Sequence, residues 1–161
     1  MCMDRMRRGY FIVFTALLIL VSATKVRPGD TPALLVFDPC NREIILRAPL
    51  AYGQSFTIRY IHSVDRSPVF EVFEAKKGVG LVLRETYFRM FGAGMGHWEG
   101  HGIIVQEDQW MKIKDINRSL GSFVLRVGSK EVAHTILMDE KEWNLSQRAS
   151  GRRVVVMISE E

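Results

Sequence analysis

The chain is poor in cysteine: only Cys2 and Cys40 occur among its 161 residues. That excludes a disulfide-dense scaffold and a four-cysteine zinc site. Charge of one sign is also scarce. Of the formal net charge of +4, the first 23 residues hold +2, from Arg5, Arg7 and Arg8 against Asp4. The remainder therefore carries +2, too little to form the basic face that nucleic-acid binding needs, and no nucleic-acid partner is expected. Internal repeats, low-complexity tracts and long helical periods are lacking too. What is present is ordinary for a globular protein, with 47% apolar and 25% charged residues, which excludes wholesale disorder. The length suits a single domain at about 150 residues each.

The N-terminus has the order of an export signal. Residues 1–8 are basic, residues 10–22 are apolar apart from the hydroxyls of Tyr10, Thr15 and Ser22, and Val21-Ser22-Ala23 offers small residues for cleavage after Ala23. Sixteen uncharged residues lie between Arg8 and Lys25. As a helix they span about 24 Å, short of a ~30 Å hydrocarbon core unless the flanking cations snorkel. Residues 1–23 therefore read as a signal peptide or a retained anchor helix, and residues 24–32 as a linker. Both alternatives place residues 33–161 in the periplasmic or extracytoplasmic space, because the arginines stay on the cytoplasmic side. With the signal removed, Cys40 has no partner for an internal disulfide, and it reads as a surface thiol in an Asp-Pro-Cys-Asn turn.

From Ala33 onward, short alternating apolar stretches are broken by turn residues. Nine strands are expected: Ala33–Phe37, Glu43–Arg47, Gln54–Ser63, Val69–Lys76, Gly80–Phe91, His101–Gln106, Ser122–Val127, Val132–Met138 and Arg153–Ile158. Lys112–Leu120 is expected to hold a turn of helix, and Asp139–Ala149 a short helix or a loop. The fold class is all-β, a sandwich or partly open barrel of antiparallel strands.

Period two puts Tyr60 and His62 on one apolar face with Phe56 and Ile58. Glu71 interrupts the next apolar row, with Val69 and Phe73. Glu85 interrupts a third, with Leu81, Leu83 and Tyr87. A meander of these strands is expected to converge His62, Glu71 and Glu85, with Arg59 and Arg84 as available partners. The plainer reading places both glutamates on solvated edges or in ion pairs. Gly92, Gly94 and Gly96 follow the longest strand, and their amides can form an anion-binding nest or simply a tight loop. His97-Trp98-Glu99-Gly100-His101 can chelate on an extended ribbon, although it lacks a metalloprotease order. No nucleophile constellation is present: Ser63 and its neighbour His62 point to opposite faces.

The string Tyr60-Ile61-His62-Ser63-Val64, then Ser67-Pro68-Val69, Glu71-Val72-Phe73 and Phe91-Gly92-Ala93-Gly94-Met95, resembles an uncharacterised bacterial family, the domain of unknown function numbered eighteen-fifty. The resemblance spans about residues 33–140. It implies an accessory role beside tripartite ATP-independent periplasmic (TRAP) transporters of the TAXI class, in uptake of an organic acid. The permease or solute receptor would be the partner, and no cofactor is implied. No activity is established for that family, so no catalytic residue carries over. The combined expectation is an exported, non-enzymatic binding module. Tyr60, His62, Ser63, Arg66, Glu71, Glu85, Gly92 and Gly94 would build its ligand or partner site, with Arg59 or Arg66 and the loop amides holding a carboxylate. Two alternatives stand beside it: a metal-assisted hydrolase using His62, Glu71, His97 and His101, and a purely structural membrane-tethered domain.

Overall fold

The structure is a computed structural model that describes residues 32–89 and 102–160. The all-β expectation holds, with twelve strands among the described residues where nine were expected. In chain order they are β1 (Ala33–Asp38), β2 (Glu43–Pro49), β3 (Ser55–Ile61), β4 (Pro68–Lys76), β5 (Gly80–Phe88), β6 (Ile103–Glu107), β7 (Trp110–Lys114), β8 (Arg118–Gly121), β9 (Phe123–Arg126), β10 (Thr135–Met138), β11 (Lys141–Asn144) and β12 (Arg153–Ser159). One short helix, α1 (Leu145–Ala149), lies between β11 and β12. Every pairing is antiparallel. A four-stranded sheet has the order β2-β1-β12-β9. The larger sheet runs β11-β10-β3-β4-β5-β7-β6, with β8 also on β5.

One expectation is corrected and another is met in part. Lys112–Leu120 holds no helical turn; it is the end of β7, a three-residue link at 115–117 and most of β8. Asp115 and Asn117 take left-handed φ values of 57° and 49°, which a right-handed helix does not admit, and the chain runs on in the same direction along β5 from β7 to β8. Asp139–Ala149 divides into β11 and α1, whose N-cap is the Asn144 side chain accepting from the Gln147 N–H at 3.0 Å. The expected β1–β2 hairpin is present. Asp38 Oδ1 closes its turn by accepting from the amides of Cys40 (2.9 Å) and Asn41 (3.2 Å), and Cys40 itself is exposed.

The two sheets bury one core between them. Leu34 and Val36 of β1 and Val154 and Val156 of β12 meet Phe56 and Ile58 of β3, Phe73 of β4 and Leu81 of β5. Alternation along these strands explains the choice, since every second residue faces inward. Phe73 joins the layers: its ring stacks on Phe56 at 5.3 Å and on Phe123 of β9 at 5.0 Å. A smaller cluster of Val69, Phe88, Ile113 and Ile116 fills the β5–β7 side of the large sheet. Gly80 opens β5 at φ +88°, and a Cβ there would lie 2.5 Å from the Gly121 carbonyl oxygen, so β8 reaches β5 only across a glycine.

One irregularity decides the site. Between β4 and β5, Val72 aligns with Glu85 but Phe73 aligns with Leu83, so Arg84 is an extra residue on β5. The bulge reverses the facing of the strand beyond it. Leu81 and Leu83 face the core, and after Arg84 it is Thr86 and Phe88 that do so.

Candidate functional site

The β3–β4 turn is organised by a carboxylate that the sequence reading passed over. Asp65 Oδ1 lies 3.0 Å from His62 Nδ1 and accepts from the Ser67 amide at 3.2 Å. Its Oδ2 accepts from the Ser67 hydroxyl at 2.8 Å. These bonds, the hydroxyl's foremost, hold the Asp65 carboxyl below its ordinary value. The backbone closes the same turn, the His62 amide donating to Ser67 O at 2.9 Å and the Arg66 amide to His62 O at 3.1 Å. Arg66 adopts φ 58°, and with Ser63 it is exposed at the tip. An Nδ1–H donated to the Asp65 carboxylate leaves the Nε2 edge of the imidazole turned away from the pair. Ser67 bonds the carboxylate rather than the imidazole, so the turn has the composition of a triad without its connectivity. Replacing Asp65 with alanine should lower the melting temperature. The loss should be greatest at neutral pH and shrink as the pH falls below 3.8, because the depressed carboxyl stabilises the fold only while ionised. Differential scanning calorimetry across that range checks it.

The expected convergence of His62, Glu71 and Glu85 is corrected. Glu71 is aligned with Ile58, four residues before His62, which places it about 13 Å farther along the sheet. It faces inward with Tyr60, between Ile58 and Thr86 of the neighbouring strands. Burial pushes the Glu71 carboxyl up. Burial, and then the Glu71 charge, push the Tyr60 hydroxyl up to about 12. Tyr60 stacks on His134 at 5.1 Å. His134 Nδ1 accepts the Gly128 amide proton at 2.9 Å, which fixes a neutral imidazole with its proton on Nε2, and burial lowers its pKa. Ser146 Oγ ties this corner together by accepting from the His134 amide (2.9 Å) and donating to Gly128 O (3.0 Å).

Glu85 lies on the opposite face, turned outward by the Arg84 bulge. The two arginines expected beside the glutamates are committed elsewhere: Arg59 to Glu142 at 3.0 Å and Arg84 to Glu74 at 3.3 Å. Gly92, Gly94, His97 and His101 lie outside the described residues, as does the segment 1–23 expected to be a signal or anchor. Among the described residues no three histidine, cysteine or carboxylate side chains are grouped to hold a metal.

Where Glu85 emerges, the outer face of the large sheet carries a groove of about 420 Å³ lined by Phe70, Val72, Glu85, Tyr87, Trp110 and Lys112. One ladder rung crosses β4, β5 and β7 as Phe70, Tyr87 and Lys112. Phe70 and Tyr87 stack at 4.7 Å, and Trp110 meets both edge-on at 5.7 and 5.9 Å. The Arg89 guanidinium lies over Trp110, 4.9 Å from its centre. Lys112 and Lys114 both bond Glu107, whose carboxyl they hold down to about 2. The groove thus has an aromatic floor, Glu85 and the Glu107-bonded Lys112 at its rim, Arg89 against its Trp110 wall, and a volume in the range of small-ligand sites, about 300–1,000 Å³.

Residues 56–145 match the family model described as Domain of unknown function (DUF1850). The chain belongs to that family. No curated protein and no solved structure matches it. The DUF1850 match takes in every strand of the large sheet and β9, so it contains both the His62 turn and the groove, while β1, β2 and β12 lie outside it. Phe70, Tyr87, Trp110 and Lys112 were missed in the sequence. Part of their signal was available: Phe70 and Val72 are apolar at positions that alternate with the core residues Val69 and Phe73, which marks a second, non-core apolar face, whereas Tyr87 joins that face only through the Arg84 bulge.

Proposed function

We propose that this DUF1850 domain is an exported, non-enzymatic binding module serving organic-acid uptake beside a TAXI-class TRAP transporter. Its outer groove is the binding site. The observation that carries this reading is the aromatic floor of Phe70, Tyr87 and Trp110, set between Lys112 and Arg89 on an outward sheet face. The rings take the apolar body of an organic anion by stacking, Arg89 takes its carboxylate, and Glu85 accepts from a ligand hydroxyl. The His62–Asp65 turn is the neighbouring contact for the permease or solute receptor, with Ser63 and Arg66 at its tip.

Deletion of the gene in the source organism should abolish growth on a transported organic acid, and the native gene should restore it. A Tyr87→Ala, Trp110→Ala double variant should fold, because both side chains point away from the core, and should restore growth poorly. Purified, it should bind the acid at least about tenfold more weakly by calorimetry, the effect of losing about 1.4 kcal/mol of stacking. Full complementation by the double variant would remove the groove from the account. Unimpaired growth of the deletion strain would remove the transport role.

A further inference from the structure

The outer face of the four-stranded sheet has no part in that reading, and its composition is uneven. Leu35, Phe37, Val155 and Met157 of the two central strands alternate with the buried Leu34, Val36, Val154 and Val156, and so face outward. Ile44 and Val124 extend the apolar patch to the edge strands, where they are 55% and 64% exposed. Around it stand exposed Arg47, Arg126 and Arg153. The one exposed carboxylate on these four strands is Glu43, which stands at the end of β2 opposite the buried Asp38 and is bonded to Arg152. Arg126 and Arg153 sit directly opposite each other on the β9–β12 ladder. Like charges so placed repel and destabilise the pair, and an anionic surface brought against them removes that cost.

We propose that this face seats the domain on an anionic bilayer surface. The chemistry distinguishes a bilayer from other polyanions. An aliphatic centre gains nothing against nucleic acid, but it partitions into the boundary between headgroups and acyl chains. Guanidinium groups at the margin then stand at the level of the phosphates. A planar sheet face suits a planar target. The sequence agrees in reach: ten residues separate the apolar run 10–22 from β1, at most about 36 Å of chain. While that run remains attached, a membrane holding it lies within reach of the sheet that β1 helps form. The two outer faces of a sandwich look in opposite directions, so docking by the small sheet leaves the groove open to the solvent. The proposal stands whether or not the groove binds an organic acid.

The test uses the full chain with Cys2→Ser and Cys40→Ser. A single environment-sensitive fluorophore is placed at Val124→Cys on the small sheet or at Glu142→Cys on the outer face of the large one. Vesicles of phosphatidylglycerol and phosphatidylethanolamine with brominated acyl chains should quench the first label and leave the second unchanged. Attachment through the N-terminal run alone would affect both labels alike. Phosphatidylcholine vesicles should lose the effect, and Arg126→Glu with Arg153→Glu should weaken it at least about tenfold. Circular dichroism confirms the fold, with the glutamine pair as substitute if the glutamates unfold the chain. Equal quenching at both positions, none at either, or indifference to the arginine changes would overturn the proposal. So would protection of the Val124 label that follows protein concentration rather than lipid, since that describes a protein contact.

Discussion

Phe73→Ala should cost about 3–5 kcal/mol of folding stability, the range for removing a buried phenylalanine ring. Phe73 is 2% exposed and stacks on Phe56 within its own sheet and on Phe123 across the sandwich. Its removal therefore deletes transfer energy, two ring contacts and the main link between the layers at that point. Neighbouring backbone cannot collapse into the space, because β4 is held on both sides by β3 and β5. Phe73→Leu should recover roughly half of the loss, since it restores volume without the stacking. Urea unfolding of the three proteins gives the numbers. A Phe73→Ala loss below about 1 kcal/mol would mean that the sheets are not joined there.

The same ring shows what the sequence made legible. Phe56, Ile58, Val69 and Phe73 obey strict alternation, and the β3–β4 pairing runs without a bulge, so their facing is readable from the pattern alone. The Asp38-Pro39-Cys40-Asn41 turn is equally readable, because aspartate closes its own turn. Glu85 was not. One extra residue, Arg84, reverses the strand, and nothing in its identity marks it as a bulge. Its cause is tertiary: its carbonyl accepts from Ile116 at 3.0 Å, and its side chain reaches Glu74 and Asn117. Asp115 and Asn117 carried a local signal that Lys112–Leu120 is not helical, since both residue types tolerate left-handed φ. Asp65 carried one too, as the aspartate two residues before Ser67 in a turn ending at Pro68. The groove needed register: Phe70, Tyr87 and Trp110 come from three strands, and only their alignment makes one surface.

Glu71→Gln should stabilise the protein at neutral pH by about 2 kcal/mol, of the order expected when a buried polar group is relieved of its charge, and should give no gain below pH 4.5. The sign follows from the direction of the shift. Burial raises the Glu71 pKa, so the folded chain holds this proton more tightly than the unfolded chain does. Stability from the neutral acid is complete below 4.5. It declines as the pH rises to the raised pKa and is constant beyond it. Glutamine has the same shape and no proton to lose, so it escapes the decline. His134 works in the opposite direction. Burial lowers its pKa from 6.5, and its Nδ1 must stay unprotonated to accept from Gly128, so stability falls as the pH drops below 6.5. In the native protein the two slopes oppose each other across the acidic range. Glu71→Gln leaves the His134 slope alone, and the profile of the variant should rise steadily from acid toward neutral pH. A second readout is independent of stability. The Glu71 charge is one of the two causes that raise Tyr60 to about 12, so the tyrosinate absorbance of the folded variant should appear at lower pH than in the native chain. A variant destabilised at neutral pH, with Tyr60 unmoved, would show that the Glu71 carboxylate is held ionised by a partner and is not an isolated buried acid.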